Sequence, residues 1–167
     1  MKVILHRLNL AAFILLTSLI VGCATQLAPL YDKAIVDGIT AANKDAMTLF
    51  ASASSGLKPE SYSTRTDIYN KIIGSLDALE VQAKARPVPK TKANEAVNKW
   101  LEKRGIPTLT NDEVPSATAI GKISLTLKRM RDTDRAQGVT ATEVQAFKNQ
   151  TVIYMDQAIT YESFLER

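Results

Sequence analysis

The sequence predicts an all-α fold, an antiparallel four-helix bundle. Four long stretches carry apolar residues at alternating spacings of three and four, the period of a helix with one buried face. The links near 54–60 and 137–139 are short, which makes consecutive helices antiparallel neighbours. No stretch alternates with period two, so strands find little support.

In the first stretch Leu27, Tyr31, Ile35, Ile39, Ala42, Ala46, Leu49 and Ala53 share a face. Ser54-Ser55-Gly56 then supplies a stop, because Gly56 can take a positive φ. Ile68, Ile72, Leu76, Leu79 and Ala83 form the second stripe, which must end by Arg86 because Pro87 disfavours helical geometry just before it. Ile120, Ile123, Leu127 and Met130 line the third helix, with Asp112 as the expected N-cap, Pro115 in the first turn and Gly138 past the end. The fourth opens on Val139-Thr140-Ala141-Thr142-Glu143-Val144, a capping box with a hydrophobic staple. Its expected seam is Val144, Phe147, Thr151, Tyr154, Ala158, Tyr161 and Leu165. A three-helix bundle with a disordered segment and an elongated coiled-coil oligomer share this pattern as alternatives.

Between the second and third helices, residues 87–111 break the periodicity. TKANEAVNKWLEKRG reads as a short amphipathic connector helix between proline-containing ends. From Lys84 to Arg104 seven basic residues face two acids, a local +5. The only tryptophan, Trp100, lies in this run. Three readings stay open: Lys90, Lys92, Lys99, Trp100, Lys103 and Arg104 contact a phospholipid surface, or they dock an acidic protein partner, or the helix caps the bundle with Trp100 in the core and the lysines solvated. Tryptophan suits a water–lipid interface, and each Lys or Arg near an anionic surface contributes about 1 kcal/mol.

Gly38, Gly74 and Gly121 interrupt helical stretches at nearly one level. Each costs about 1 kcal/mol relative to Ala. They are expected to be tolerated drift, with close helix approach or an apolar pocket as the alternatives.

Ahead of the bundle, Lys2, His6 and Arg7 precede the apolar run Leu8–Val21, whose 14 residues fall short of the roughly 20 needed to cross a bilayer. A charged start, a short apolar run and a small residue describe a secretory signal. Ile20-Val21-Gly22-Cys23 resembles the lipobox of bacterial lipoproteins. That resemblance covers the signal region alone. It implies cleavage between Gly22 and Cys23, a diacylglyceryl thioether on Cys23 and an acyl chain on its new amine. Two or more chains hold a protein stably at a membrane where one does not. Ala24, in place of the Asp that resembles a retention signal, favours the periplasmic face of the outer membrane over the inner membrane. The domain plan is a cleaved signal over 1–22, a lipidated cysteine with a short tether over 23–26, and one helical domain over 27–167.

Composition bounds the chemistry. Removing 22 of 167 residues leaves 145, which suits one domain. Two of the 21 basic residues leave with the signal, so the mature chain carries 19 against 17 acids, a formal +2 that does not argue for nucleic acid. Cys23 is the only cysteine and His6 the only histidine, so the mature chain has no disulfide, no His-based nucleophilic system and no His-containing metal site. Ser55-Gly56-Leu57-Lys58 matches a bare S-x-x-K form but reads as a helix-ending turn. No cofactor or metal is expected beyond the lipid on Cys23. The expected function is a non-catalytic, membrane-anchored lipoprotein acting as an adaptor or envelope-assembly accessory through a protein partner, with a homo-oligomer also open. The alternative is a bundle binding a small apolar ligand or lipid. The least supported is an Asp/Glu hydrolase of cell-wall glycans, which needs two carboxylates facing one groove.

Overall fold

The computed structural model describes residues 28–89, 95, 99, 100, 102–104 and 113–166. Four helices form the expected bundle: α1 (Lys33–Ser52), α2 (Thr66–Lys84), α3 (Pro115–Gln137) and α4 (Ala141–Leu165). Each packs on its neighbours in sequence, and α4 closes back on α1. The register is antiparallel throughout. Asp45 of α1 meets Lys71 of α2, Asp77 of α2 meets Lys128 of α3, and Ser116 at the start of α3 meets Glu162 at the end of α4. The core takes most of the expected stripes of α1, α2 and α3, adds Phe50, Tyr69 and Ile73, and leaves Tyr31 and Ile68 only partly buried. Ile35, Ile39, Leu76, Ile120, Ile123 and Leu127 are fully buried, each worth about 1.5–3 kcal/mol.

Two helix starts differ from expectation. α1 begins at Lys33, because Asp32 caps it by accepting the Ala34 amide at 2.9 Å and Pro29 disfavours a helix from Leu27. Leu27 itself lies outside the described residues. The N-cap of α3 is Val114, with no side-chain cap, in place of the expected Asp112, which lies outside the described residues. Pro115 occupies the first helical position, where its missing amide is no loss. The capping box of α4 forms as expected, with Glu143 N–H donating to Thr140 Oγ1 at 3.3 Å and Thr140 N–H to Glu143 Oε2 at 2.8 Å.

At the far end from the N-terminal approach, the two loops are joined. Leu57 N–H donates to Val139 O at 2.7 Å and Val139 N–H to Leu57 O at 3.0 Å. Gly56 (φ +92°) and Gly138 (φ +79°, ψ 178°) turn the chain into this bridge. A Cβ at Gly138 would also collide with the Leu57 carbonyl oxygen.

The three glycines inside helices part ways. A Cβ on Gly38 would lie 2.5 Å from Leu79 Cδ2, and one on Gly121 would lie 2.6 Å from Glu80 Oε1. Close approach therefore holds at both flanks of α2, where drift was expected. Leu79 and Glu80 occupy the space those glycines leave, where a pocket was the alternative. Gly74 faces open space, as tolerated drift requires.

These environments predict opposite outcomes. Gly74→Ala should raise stability to chemical denaturation by about 1 kcal/mol. Gly138→Ala should lower it by about 1–3 kcal/mol, since its φ and ψ fall in a region only glycine occupies freely. An unchanged Gly138→Ala midpoint would contradict the bridged-loop account.

Candidate functional site

All four helices present a terminus at the N-terminal end of the molecule, the base. The chain enters there ahead of α1, leaves after α2, returns before α3 and ends with α4. Pro87 stops α2, so Arg86 sits past the last turn and swings its side chain inward. The Glu162 carboxylate is completely buried and the Arg86 side chain is only 9% exposed. Arg86 Nη1 donates to Glu162 Oε2 at 2.8 Å and to the Leu30 carbonyl at 3.4 Å. Nη2 donates to Ser116 Oγ at 3.0 Å and to Glu162 Oε1, which also accepts from the buried Ser116 hydroxyl. A bidentate pair with a third donor is the geometry that lets two charges leave water. Removing one partner of such a pair typically costs about 3–5 kcal/mol.

Beside this cluster lies a notch of about 480 Å³, lined by Leu30, Tyr31, Asp32, Arg86, Pro87 and Pro89. Its surface is mostly apolar. Leu30 is 74% exposed at its edge.

The connector residues singled out in the sequence fall in two groups. Lys99, Trp100, Lys103 and Arg104 are described and exposed. Lys90, Lys92, Gly22 and Cys23 lie outside the described residues. Trp100 is 50% exposed, so it is not a core residue. The Arg104 guanidinium lies 3.9 Å from the centre of its ring, a cation–π contact one helical turn away. Two cations of the basic run are not free: Lys84 Nζ binds Glu80 at 2.6 Å, and Arg86 is the buried partner of Glu162. The run is thus less positive towards solvent than its sequence suggests.

The far end carries a second buried pair that sequence reasoning also missed. Arg65 Nε and Nη2 donate to Asp134 Oδ2 and Oδ1 at 2.9 and 2.7 Å, and Asp134 is fully buried. Arg65 is held in turn by Ser61 Oγ at 2.9 Å and the Lys58 carbonyl at 3.1 Å. Each of these ionic residues continues an apolar stripe by one turn. Arg86 follows Ala83, Arg65 precedes Tyr69, Asp134 follows Met130 and Glu162 follows Ala158. That continuation is the signal that could have found them. On α4 the fully buried positions are Val144, Thr151, Met155, Ala158 and Glu162. Phe147, Tyr154 and Tyr161 of the expected seam are only partly buried against the core.

The two buried carboxylates therefore stand at opposite ends, each held by an arginine. Among the described residues no group of three His, Cys, Asp or Glu could hold a metal ion, and no helix is long and apolar enough to cross a membrane.

Tyr69 gives the far end a pH signature. Its hydroxyl is buried without a hydrogen-bond partner, while the Asp134 oxygens are taken up by Arg65. Burial, and then the nearby Asp134 charge, push its pKa well above the ordinary 10.0. A raised folded-state pKa means stability that is present below 10.0 and lost as pH rises beyond it. Tyr69→Phe should be neutral or stabilising by up to about 1 kcal/mol at pH 7, since no hydrogen bond is lost. It should also lose less stability than the natural chain under alkaline denaturation. A Phe variant with an unchanged alkaline profile would contradict this assignment.

Compared with protein families, curated proteins and solved structures, the chain finds no match.

Proposed function

We propose that this chain is a lipid-anchored periplasmic lipoprotein of the outer membrane, a non-catalytic bundle that works by interaction as an adaptor or envelope-assembly accessory. The observation that carries the reading is the shared base. The chain enters the bundle at Ala28–Asp32, five residues after Cys23, and the basic connector begins and ends at that same end. A lipid on Cys23 would hold this face against the leaflet. The far end would then stand about 30 Å away, the length of a 20-residue helix.

The side chains of the connector suit that setting. Trp100 is amphipathic and half-exposed, and Lys99, Lys103 and Arg104 supply positive charge next to it. The non-catalytic part is supported by where the buried acids go. Asp134 and Glu162 are committed to arginines at opposite ends, so neither faces the other across a groove. For a partner, the sides of the bundle offer exposed apolar side chains, Val81 on α2, Leu125 on α3 and the pair Val152-Ile153 on α4.

Cys23→Ser tests the reading. In cells fed an alkyne fatty acid, the natural chain should carry the label and sediment with membranes, and the variant should lose the label. A variant that retains the fatty-acid label, or a natural chain that never acquires it, would overturn lipid anchoring.

A further inference from the structure

The notch at the base has a chemistry that selects its occupant. Leu30, Tyr31, Pro87 and Pro89 make its walls, and neither proline has an amide hydrogen to satisfy. Among the described residues that line it, the cation is Arg86, and it is not available to a ligand. The guanidinium is directed to Glu162, Ser116 and the Leu30 carbonyl, and its charge is cancelled by the buried carboxylate. The Asp32 carboxylate is likewise engaged by the Ala34 amide. Among the described residues a phosphate or carboxylate would thus meet no free donor of opposite charge, whereas an apolar chain would meet a matching wall. The volume, about 480 Å³, falls within the roughly 300–1,000 Å³ of small-molecule sites.

Position names the source of that chain. Cys23 precedes Leu30, which forms one wall, by seven residues. At no more than about 3.3–3.6 Å per residue, the sulfur cannot be further than roughly 25 Å from the notch. An acyl chain on Cys23 therefore has a short, intramolecular path to it. Each buried methylene is worth about 0.8 kcal/mol, in the notch as in a bilayer. The notch is open on one side, so it covers part of a chain while the leaflet covers the rest, and proximity favours the tethered chain over other lipids.

We propose that the notch between Leu30–Asp32 and Arg86–Pro89 seats one acyl chain of the lipid on Cys23, so that the anchor partly folds back under its own bundle. This rests on the reading of Cys23 as acylated. The remaining chains stay in the leaflet, and the base is held flat against it rather than swinging on a loose tether.

A photoreactive fatty acid, incorporated by the cell into the natural full-length chain and activated in membranes, tests this. Intact mass shows whether Cys23 carries the label, and peptide mapping shows where it crosslinks. Intramolecular adducts on residues 30–32 and 86–89 are expected. Leu30→Glu, at an exposed position, should reduce them severalfold while leaving the label on Cys23. A labelled chain whose adducts go only to phospholipid or to other proteins would overturn the proposal and leave lipid anchoring intact. An adduct yield unchanged in Leu30→Glu would overturn it too. Absence of label from Cys23 would instead overturn the anchoring reading, and this proposal with it.

Discussion

An arginine at each end of α2, paired with a fully buried carboxylate, sets the geometry on which the rest of the molecule depends. Arg65 reaches Asp134 near the end of α3, and Arg86 reaches Glu162 near the end of α4 together with Ser116 at the start of α3. Hydrophobic stripes tolerate sliding, because one isoleucine can replace another along a smooth face. A buried ion pair does not, since moving one partner by a helical turn leaves both charges unpaired away from water. With both ends of α2 tied, its register against α3 and α4 is fixed at two points about 30 Å apart. The Asp77 carboxylate, which accepts from Ser124 and Lys128 midway, adds a third tie on a more exposed surface.

The same arginines shape the two end faces. At the far end, Arg65 binds the Lys58 carbonyl and so fastens the loop that carries Leu57 to its bridge with Val139. At the base, Arg86 binds the Leu30 carbonyl and holds the segment ahead of α1 against the segment after α2. The apolar notch exists because these two segments are held side by side, with the Arg86 charge matched by the buried Glu162. Structure and proposed function thus meet at one residue: Arg86 completes the core below and leaves a mostly apolar surface above.

Much of this was legible in the sequence, and the exceptions have physical causes. The stripes of α1, α2 and α3 place the core correctly because in each a narrow set of aliphatic residues recurs with helical period. α4 is less regular. Its tyrosines, Tyr154 and Tyr161, look like seam residues, yet Met155 and Glu162 lie deeper, because a ring with a hydroxyl can lean on the core from the rim while its tip stays near water. The buried pairs were hidden by residue type: Asp134 and Glu162 look like solvent-facing acids until the stripe is extended by one turn. The glycines show the same limit. Sequence places Gly38, Gly74 and Gly121 at a common level, but whether a neighbouring helix presses on each depends on side chains from other segments, Leu79 and Glu80. The signal reading rests on a local motif, Ile20-Val21-Gly22-Cys23, which lies outside the described residues.

In the proposed reading these observations are united by orientation, with one end face held at the membrane and the other turned to the periplasm. Because Cys23 is the only cysteine and is acylated in this account, single engineered thiols can report on it cleanly. Nitroxide labels at Leu30→Cys and Ser55→Cys, on lipidated protein in anionic phospholipid vesicles, would be compared by collision with oxygen and with a water-soluble nickel chelate. The account predicts that the label at 30 is shielded from nickel and exposed to oxygen, as in a lipid interface, and that the label at 55 is fully aqueous. Equal nickel accessibility at the two positions, or a label at 55 that is the more shielded, would contradict it.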